Sequence, residues 1–153
     1  MKVQPVLFFI LATVLSVSVL FLIFNRKQKV DESIQIIVPN NYRGLSKIIK
    51  DETQGIEVQV VNGKRRYNIP ANGVLRVNSF LPFEEWHEEF AFFLDGTPLR
   101  ISSKPSEWKH KFKKNEIALF GGSITEGTNY PLPTIVYVIG TESDYIKYVD
   151  ERK

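Results

Sequence analysis

Apolar and polar residues alternate with period two along most of this chain, and two stretches break the rule. One is Pro5 to Phe24, PVLFFILATVLSVSVLFLIF, an uncharged run of 20 residues. A helix of that length spans a bilayer. The other is the C-terminal ESDYIKYVDERK. There Tyr145, Tyr148 and Val149 fall within one helical arc, and Ser143 stands where a cap would.

Between them the pattern is that of strands. SIQIIVP, from Ser33, alternates and stops at Pro39, and GLSKIIKD, Gly44 to Asp51, is a second candidate. In IEVQVVNGKRRYNIP, Val58 and Val60 alternate with Glu57 and Gln59. Asn62-Gly63 tolerates positive φ at both turn positions and suits a type I′ hairpin. Tyr67 and Ile69 resume the alternation, and Pro70 ends it because proline cannot donate to a ladder. Asn72-Gly73 then leads into a strand over Val74–Val77. In WHEEFAFFLDGTPLRIS, Trp86, Glu88, Phe90, Phe92 and Leu94 share one face, and Asp95-Gly96 marks a turn. Ile117–Phe120 and Thr134–Ile139 complete the set. About eight short strands with regular turns predict a mainly β domain, built as an antiparallel β-sandwich with a short C-terminal helix.

The organisation follows: an N-terminal flank over 1–4, a transmembrane anchor over 5–24, a charged linker NRKQKVDE over 25–32, and a β-sandwich domain over 33–153. A cleaved signal peptide is the competing assignment. Its apolar core is usually about 7–15 residues and ends in small residues, whereas this run ends in FLIFNRKQK. The chain has no cysteine to carry a lipid. An uncleaved single-pass anchor in the cell membrane is therefore expected. Arg26, Lys27 and Lys29 outnumber Lys2 and the α-amino group, which favours a cytoplasmic C-terminal domain. The short N-terminus and signal-like layout favour the opposite orientation, and an extracytoplasmic domain is the expectation taken.

Charge changes meaning once it is divided. The chain has 20 Lys and Arg against 17 Asp and Glu, a net charge of +3. Lys2, Arg26, Lys27 and Lys29 supply four of the cations with no acid among residues 1–30, leaving 16 against 17 in the rest. The domain itself is near neutral, so no nucleic-acid partner is expected. Without cysteine, disulfides and thiolate metal sites are excluded.

The phrase YNIPANGVLRV is similar to the strand, Ile-Pro, glycine turn, strand pattern of transthyretin-like and carboxypeptidase-regulatory-like sandwich domains. IIVPNNYRG (Ile36 to Gly44), YNIPANGVL (Tyr67 to Leu75) and YVIGTESDY (Tyr137 to Tyr145) together resemble an uncharacterised bacterial family of exported or membrane-anchored domains. That resemblance implies fold and location, and carries no activity.

Three segments suggest chemistry. FGGSITEG, Phe120 to Gly127, resembles the FGDSITEG block of the GDSL, or SGNH, serine hydrolases, which would make Ser123 a nucleophile. Gly122 stands where that family has Asp, only 30 residues follow Ser123, and His87 and His110 both precede it. Cations in KHKFKK also disfavour an imidazolium at His110. The expectation is a glycine-rich loop between the last two strands. In EEWHEE, a strand would put Glu85, His87 and Glu89 on one face, a weak candidate for a divalent ion. The alternative is a solvated strand face opposite Trp86, Phe90 and Phe92. Lys109, Lys111, Lys113 and Lys114, with Lys64, Arg65 and Arg66 as a second group, could meet an anionic lipid or envelope polymer, or could simply be solvated. The aromatics of Pro82–Trp86 and Tyr130-Pro131 could line a binding surface, or could belong to the core. No P-loop, dinucleotide fingerprint, EF-hand loop or HExxH occurs. The expectation is a non-catalytic interaction module at the bacterial cell envelope, with no catalytic residue, no cofactor and an undefined ligand.

Overall fold

Ile34, Ile36 and Val38 are fully buried on one side of the first strand, β1 (Ser33–Val38), while Gln35 and Ile37 point the other way. The computed structural model describes residues 33–102, 113 and 115–150. All belong to the unit Asp31–Lys153. The anchor expected over 5–24 and the linker over 25–32 lie outside the described residues. No helix among the described residues is long and apolar enough to cross a membrane.

The strands in chain order are β1, β2 (Gly44–Lys50), β3 (Gln59–Val61), β4 (Lys64–Asn68), β5 (Val74–Val77), β6 (Glu88–Phe93), β7 (Pro98–Ser102), β8 (Ala118–Gly127) and β9 (Tyr130–Gly140). A one-turn helix, α1 (Leu81–Glu84), precedes β6, and α2 (Glu142–Asp150) follows β9. The strands form one nine-stranded sheet in the order β3-β4-β1-β6-β7-β8-β9-β2-β5.

The domain is mainly β with the expected C-terminal helix, but its sheet is mixed rather than antiparallel. Four ladders are antiparallel: β3/β4, β6/β7, β8/β9 and β2/β9. Four are parallel: β1/β4, β1/β6, β2/β5 and β7/β8. Three of the antiparallel pairs are sequence neighbours joined by short turns. At the Asn62-Gly63 turn both residues have positive φ, 53° and 78°, which is type I′ geometry. Three of the parallel pairs join strands that do not follow one another in the chain, and the fourth, β7/β8, joins consecutive strands across residues 103–117. Parallel neighbours need a long crossover, and nothing in the period-two pattern states which strands a crossover will unite.

One apolar cluster joins Ile34 and Ile36 of β1, Tyr67 of β4, Ile48 of β2, Leu75 and Val77 of β5, and Ile135, Tyr137 and Ile139 of β9. Strands from both halves of the sheet order share this interior, so the sheet curls around it. Phe80 is buried and Phe83 packs at its edge, with Phe83 set against Tyr67 at 4.9 Å between ring centroids. That anchors α1 across one end of the interior.

β9 breaks the alternation because it is covered twice. Ile135 through Gly140 are all buried. Ile135, Tyr137 and Ile139 face the main core, while Val138 joins Ala118 and Phe120 in a second cluster under Tyr145 and Tyr148 of α2. A continuous apolar run is what a strand covered on both faces requires. The cap of α2 is Thr141, not the expected Ser143. Thr141 donates its N–H and hydroxyl to Asp144 Oδ2 at 2.8 and 3.0 Å, and its Oγ1 accepts from the Asp144 N–H at 3.3 Å. This is a reciprocal capping box with Asp in the acidic position. The Thr141 backbone N–H, then its hydroxyl, hold the Asp144 carboxyl below the usual carboxylate range.

Candidate functional site

FGGSITEG is strand, not loop. Its residues make up β8 from Phe120 onward. Gly121 and Gly122 have φ of 110° and 105°, and the register with β9 shifts between Gly121 and Ser123. This is a bulge built from residues that tolerate positive φ. Space demands glycine as well. A Cβ on Gly121 would sit 2.6 Å from the Val136 carbonyl oxygen, and one on Gly122 would sit 3.0 Å from the Tyr137 ring. Ser123 is exposed and lies opposite Val136. His110 lies outside the described residues. His87 is engaged elsewhere: its Nδ1 is 2.8 Å from the Glu85 carbonyl oxygen, and its ring packs edge-on to Phe83.

Glu85, His87 and Glu89 do not share a strand face. β6 begins at Glu88, so Glu85 and His87 lie in the preceding turn. His87 Nε2 and Glu89 Oε1 come within 3.6 Å, but Glu85 contributes its backbone carbonyl and leaves its side chain exposed. Among the described residues no group of three or more His, Asp or Glu is placed to hold a metal.

The two faces of β6 are also the reverse of the expected ones. Glu89 pairs with Ile34 and Ala91 with Ile36, which turns them inward. Glu89 there accepts a hydrogen bond from the buried Tyr137 hydroxyl at 2.8 Å. Burial, then the Glu89 charge, push the Tyr137 phenol well above its ordinary value. Burial also raises Tyr67, whose hydroxyl has no hydrogen-bond partner among the described residues. The row beginning with Trp86 looks outward, with Trp86 74% and Leu94 71% exposed. Alternation defines two faces but not which is inner; that is set by the neighbours, and β1 is the neighbour here.

The outward turn of this row creates a concave surface among the described residues. Gln35 and Ile37 of β1 lie beside Arg66 and Asn68 of β4 on one side and Phe90 and Phe92 of β6 on the other. Toward the β6–β7 turn this surface deepens into an open recess of about 330 Å³, lined by Gln35, Ile37, Arg66, Asn68, Phe92 and Leu94 with Phe93 and Gly96. Arg66 donates Nε and Nη2 to Gln35 Oε1 at 3.3 and 3.2 Å. Asn68 Nδ2 reaches Gln59 Oε1 at 3.4 Å, and Lys64 Nζ lies 4.7 Å from the centre of the Phe90 ring. The lining carries no carboxylate and one guanidinium. It combines apolar walls with amide and cationic donors, the usual makeup of a small binding site.

The sequence supplies every one of these residues without revealing the recess, because the recess needs β1 between β4 and β6. Of the lysines expected to meet an anionic partner, Lys113 is exposed and donates its backbone N–H to Glu116 at 2.9 Å. Lys109, Lys111 and Lys114 lie outside the described residues.

No protein-family model matches this chain, and no curated protein does. Among solved structures, the chain aligns with one described as a "Putative Lipoprotein from Bacillus anthracis". The identity is 9% and the TM-score 0.42, over 74% of this chain and 72% of that one. A likeness at that level decides neither fold nor role.

Proposed function

We propose that this protein is a non-catalytic binding module of the bacterial cell envelope. Residues 5–24 hold it in the membrane as a single-pass anchor, and the β domain lies on the extracytoplasmic side. The observation that carries the binding role is the recess beside Phe92, where apolar, amide and guanidinium groups converge on solvent. The anchor rests on the apolar run of the sequence. Ser123 on an exposed strand across from Val136 supports a structural role for FGGSITEG.

A photo-crosslinker at Leu94 in intact cells tests the role. Enrichment of a protein, glycan or lipid over a chain carrying the crosslinker at Ile146 supports it, and equal labelling removes it. Protease shaving of intact cells tests the orientation, since a protected domain would be cytoplasmic.

A further inference from the structure

We propose that the end of the sheet at which β1 begins rests on the bilayer surface, with Trp86, Leu81 and Leu132 at interfacial depth. This rests on the reading of residues 5–24 as an anchor.

Strand directions identify that end. β1, β4 and β6 run parallel and start there, at Ser33, Lys64 and Glu88. β7, β8, β2 and β5 run the other way and finish there. Among the described residues, the tip of the β8–β9 hairpin reaches beyond its neighbours at this end. The hairpin's last pairs with them are Phe120 with Ser102 of β7 and Thr134 with Ile49 of β2. Gly121, Ser123, Ile124 and Thr125 still lie against Tyr137, Val136, Ile135 and Thr134 of β9, and beyond them the Gly127–Tyr130 pair closes the hairpin tip. The tip gives no side chain to the core, yet it carries exposed Leu132.

The apolar surface is concentrated at the same place. Among the described residues, ten large apolar side chains are exposed. Ile56, Leu81, Trp86 and Leu132 stand at this end, against Val74 and Leu94 at the other, while Ile124 lies level with Leu75 through Ile135 and Ile48. Leu81 opens α1 and Trp86 follows it, where the helix crosses the end of the interior. Tryptophan with aliphatic neighbours is the composition that settles at the headgroup boundary.

The point where the described chain starts names the occupant. Ser33 is at this end and follows Phe24 by nine residues, a tether of at most about 32 Å when fully extended. The apolar end is thus the one whose chain leads to the anchor, while the recess by Leu94 lies toward the opposite end and stays open. Among the described residues the charges at this end are mixed: Lys50, Lys64 and Arg65 stand with Glu52, Glu84, Glu85 and Glu126, and Lys50 lies within 3.7 Å of both Glu52 and Glu84. The docking rests on the apolar side chains.

The test reconstitutes the full chain carrying Trp108→Phe into phosphatidylcholine vesicles, with or without brominated acyl chains. The expected result is quenching of Trp86 by brominated lipid at least about twofold stronger than that of a tryptophan at the far end (Trp86→Phe, Trp108→Phe, Leu94→Trp), since interfacial groups sit roughly 5–10 Å deep. Equal quenching of the two tryptophans overturns the proposal. So does Trp86 that is shielded from soluble acrylamide but untouched by brominated lipid, because a protein surface would then cover it. Alkaline carbonate extraction separates the two readings. A chain retained by the vesicles with Trp86 unquenched loses the docking and keeps the anchor. A chain released with Trp86 unquenched loses both.

Discussion

Gly121→Ala should destabilise the domain far more than Ser123→Ala, although both change one side chain in the segment that resembles a hydrolase block. At Gly121 the backbone has φ 110°, and the new Cβ would lie 2.6 Å from the Val136 carbonyl oxygen. A backbone oxygen in a ladder cannot swing aside. The variant must give up the bulge or strain it, at about 2–4 kcal/mol when unfavourable φ and overpacking are combined. At Gly122 the φ is 105° and the contact is 3.0 Å to the rim of the Tyr137 ring. A ring can shift slightly, so about 1–3 kcal/mol is expected. Ser123 is exposed, and its loss should stay within about 0.5 kcal/mol. Thermal unfolding followed by tryptophan fluorescence gives the comparison. For a domain near this size each kcal/mol moves Tm by about 4–6 °C, so Gly121→Ala should fall by about 10 °C or more and Ser123→Ala should hardly move. Gly121→Ala melting with wild type would refute the bulge. Loss of ester hydrolysis on Ser123→Ala, with unchanged melting, would restore the nucleophile.

Four other outcomes follow from the structure. Asp51 accepts N–H bonds from Gln54 and Thr53 and meets Arg76 at 2.7 Å, which holds its carboxyl below the usual range; the unfolded chain takes up the proton first, so stability from this group is intact above about pH 4 and declines as pH falls further, and Asp51→Asn should flatten that acid limb in a pH series of urea midpoints. Tyr137 and Tyr67 are raised by burial, so the unfolded chain ionises them first and stability drops above about pH 10; Tyr137→Phe should make that drop shallower while costing about 1–2 kcal/mol at pH 7 for the lost bond to Glu89. Thr141→Ala removes the cap of α2 and should cost about 1 kcal/mol, visible as faster amide exchange in Glu142–Asp150 before any change in the core strands. Metal analysis of the purified chain should find no stoichiometric ion that disappears in His87→Ala, because among the described residues only Glu89 of the two expected carboxylates brings its side chain to His87.

What the sequence discloses is local. The Asn62-Gly63 and Asp95-Gly96 hairpins, β1, β2, β5 and α2 all follow from turn chemistry and short-range period. What it hides depends on partners distant in the chain. Placing β1 between β4 and β6 reverses the expected faces of β6, exposes Trp86 and Leu94, and turns Glu89 toward Tyr137. Alternation in EEFAFF is satisfied either way, and only the pairing with Ile34 and Ile36 chooses. FGGSITEG shows the same limit at smaller scale. Glycine in such a block fits a loop, a nucleophile turn or a bulge equally, until Val136 and Tyr137 are seen behind it. The recess combines both effects, since its walls come from three strands that the sequence separates by tens of residues.

The central claim is that the recess by Phe92 takes a ligand at the cell envelope. Crosslinking from Leu94 in intact cells, with and without Arg66→Ala, addresses it most directly. Capture of one class of envelope molecule from Leu94, reduced at least about threefold by Arg66→Ala through the lost charged hydrogen bonds, is the predicted result. Capture that is the same from Ile146, or indifferent to Arg66, would contradict it.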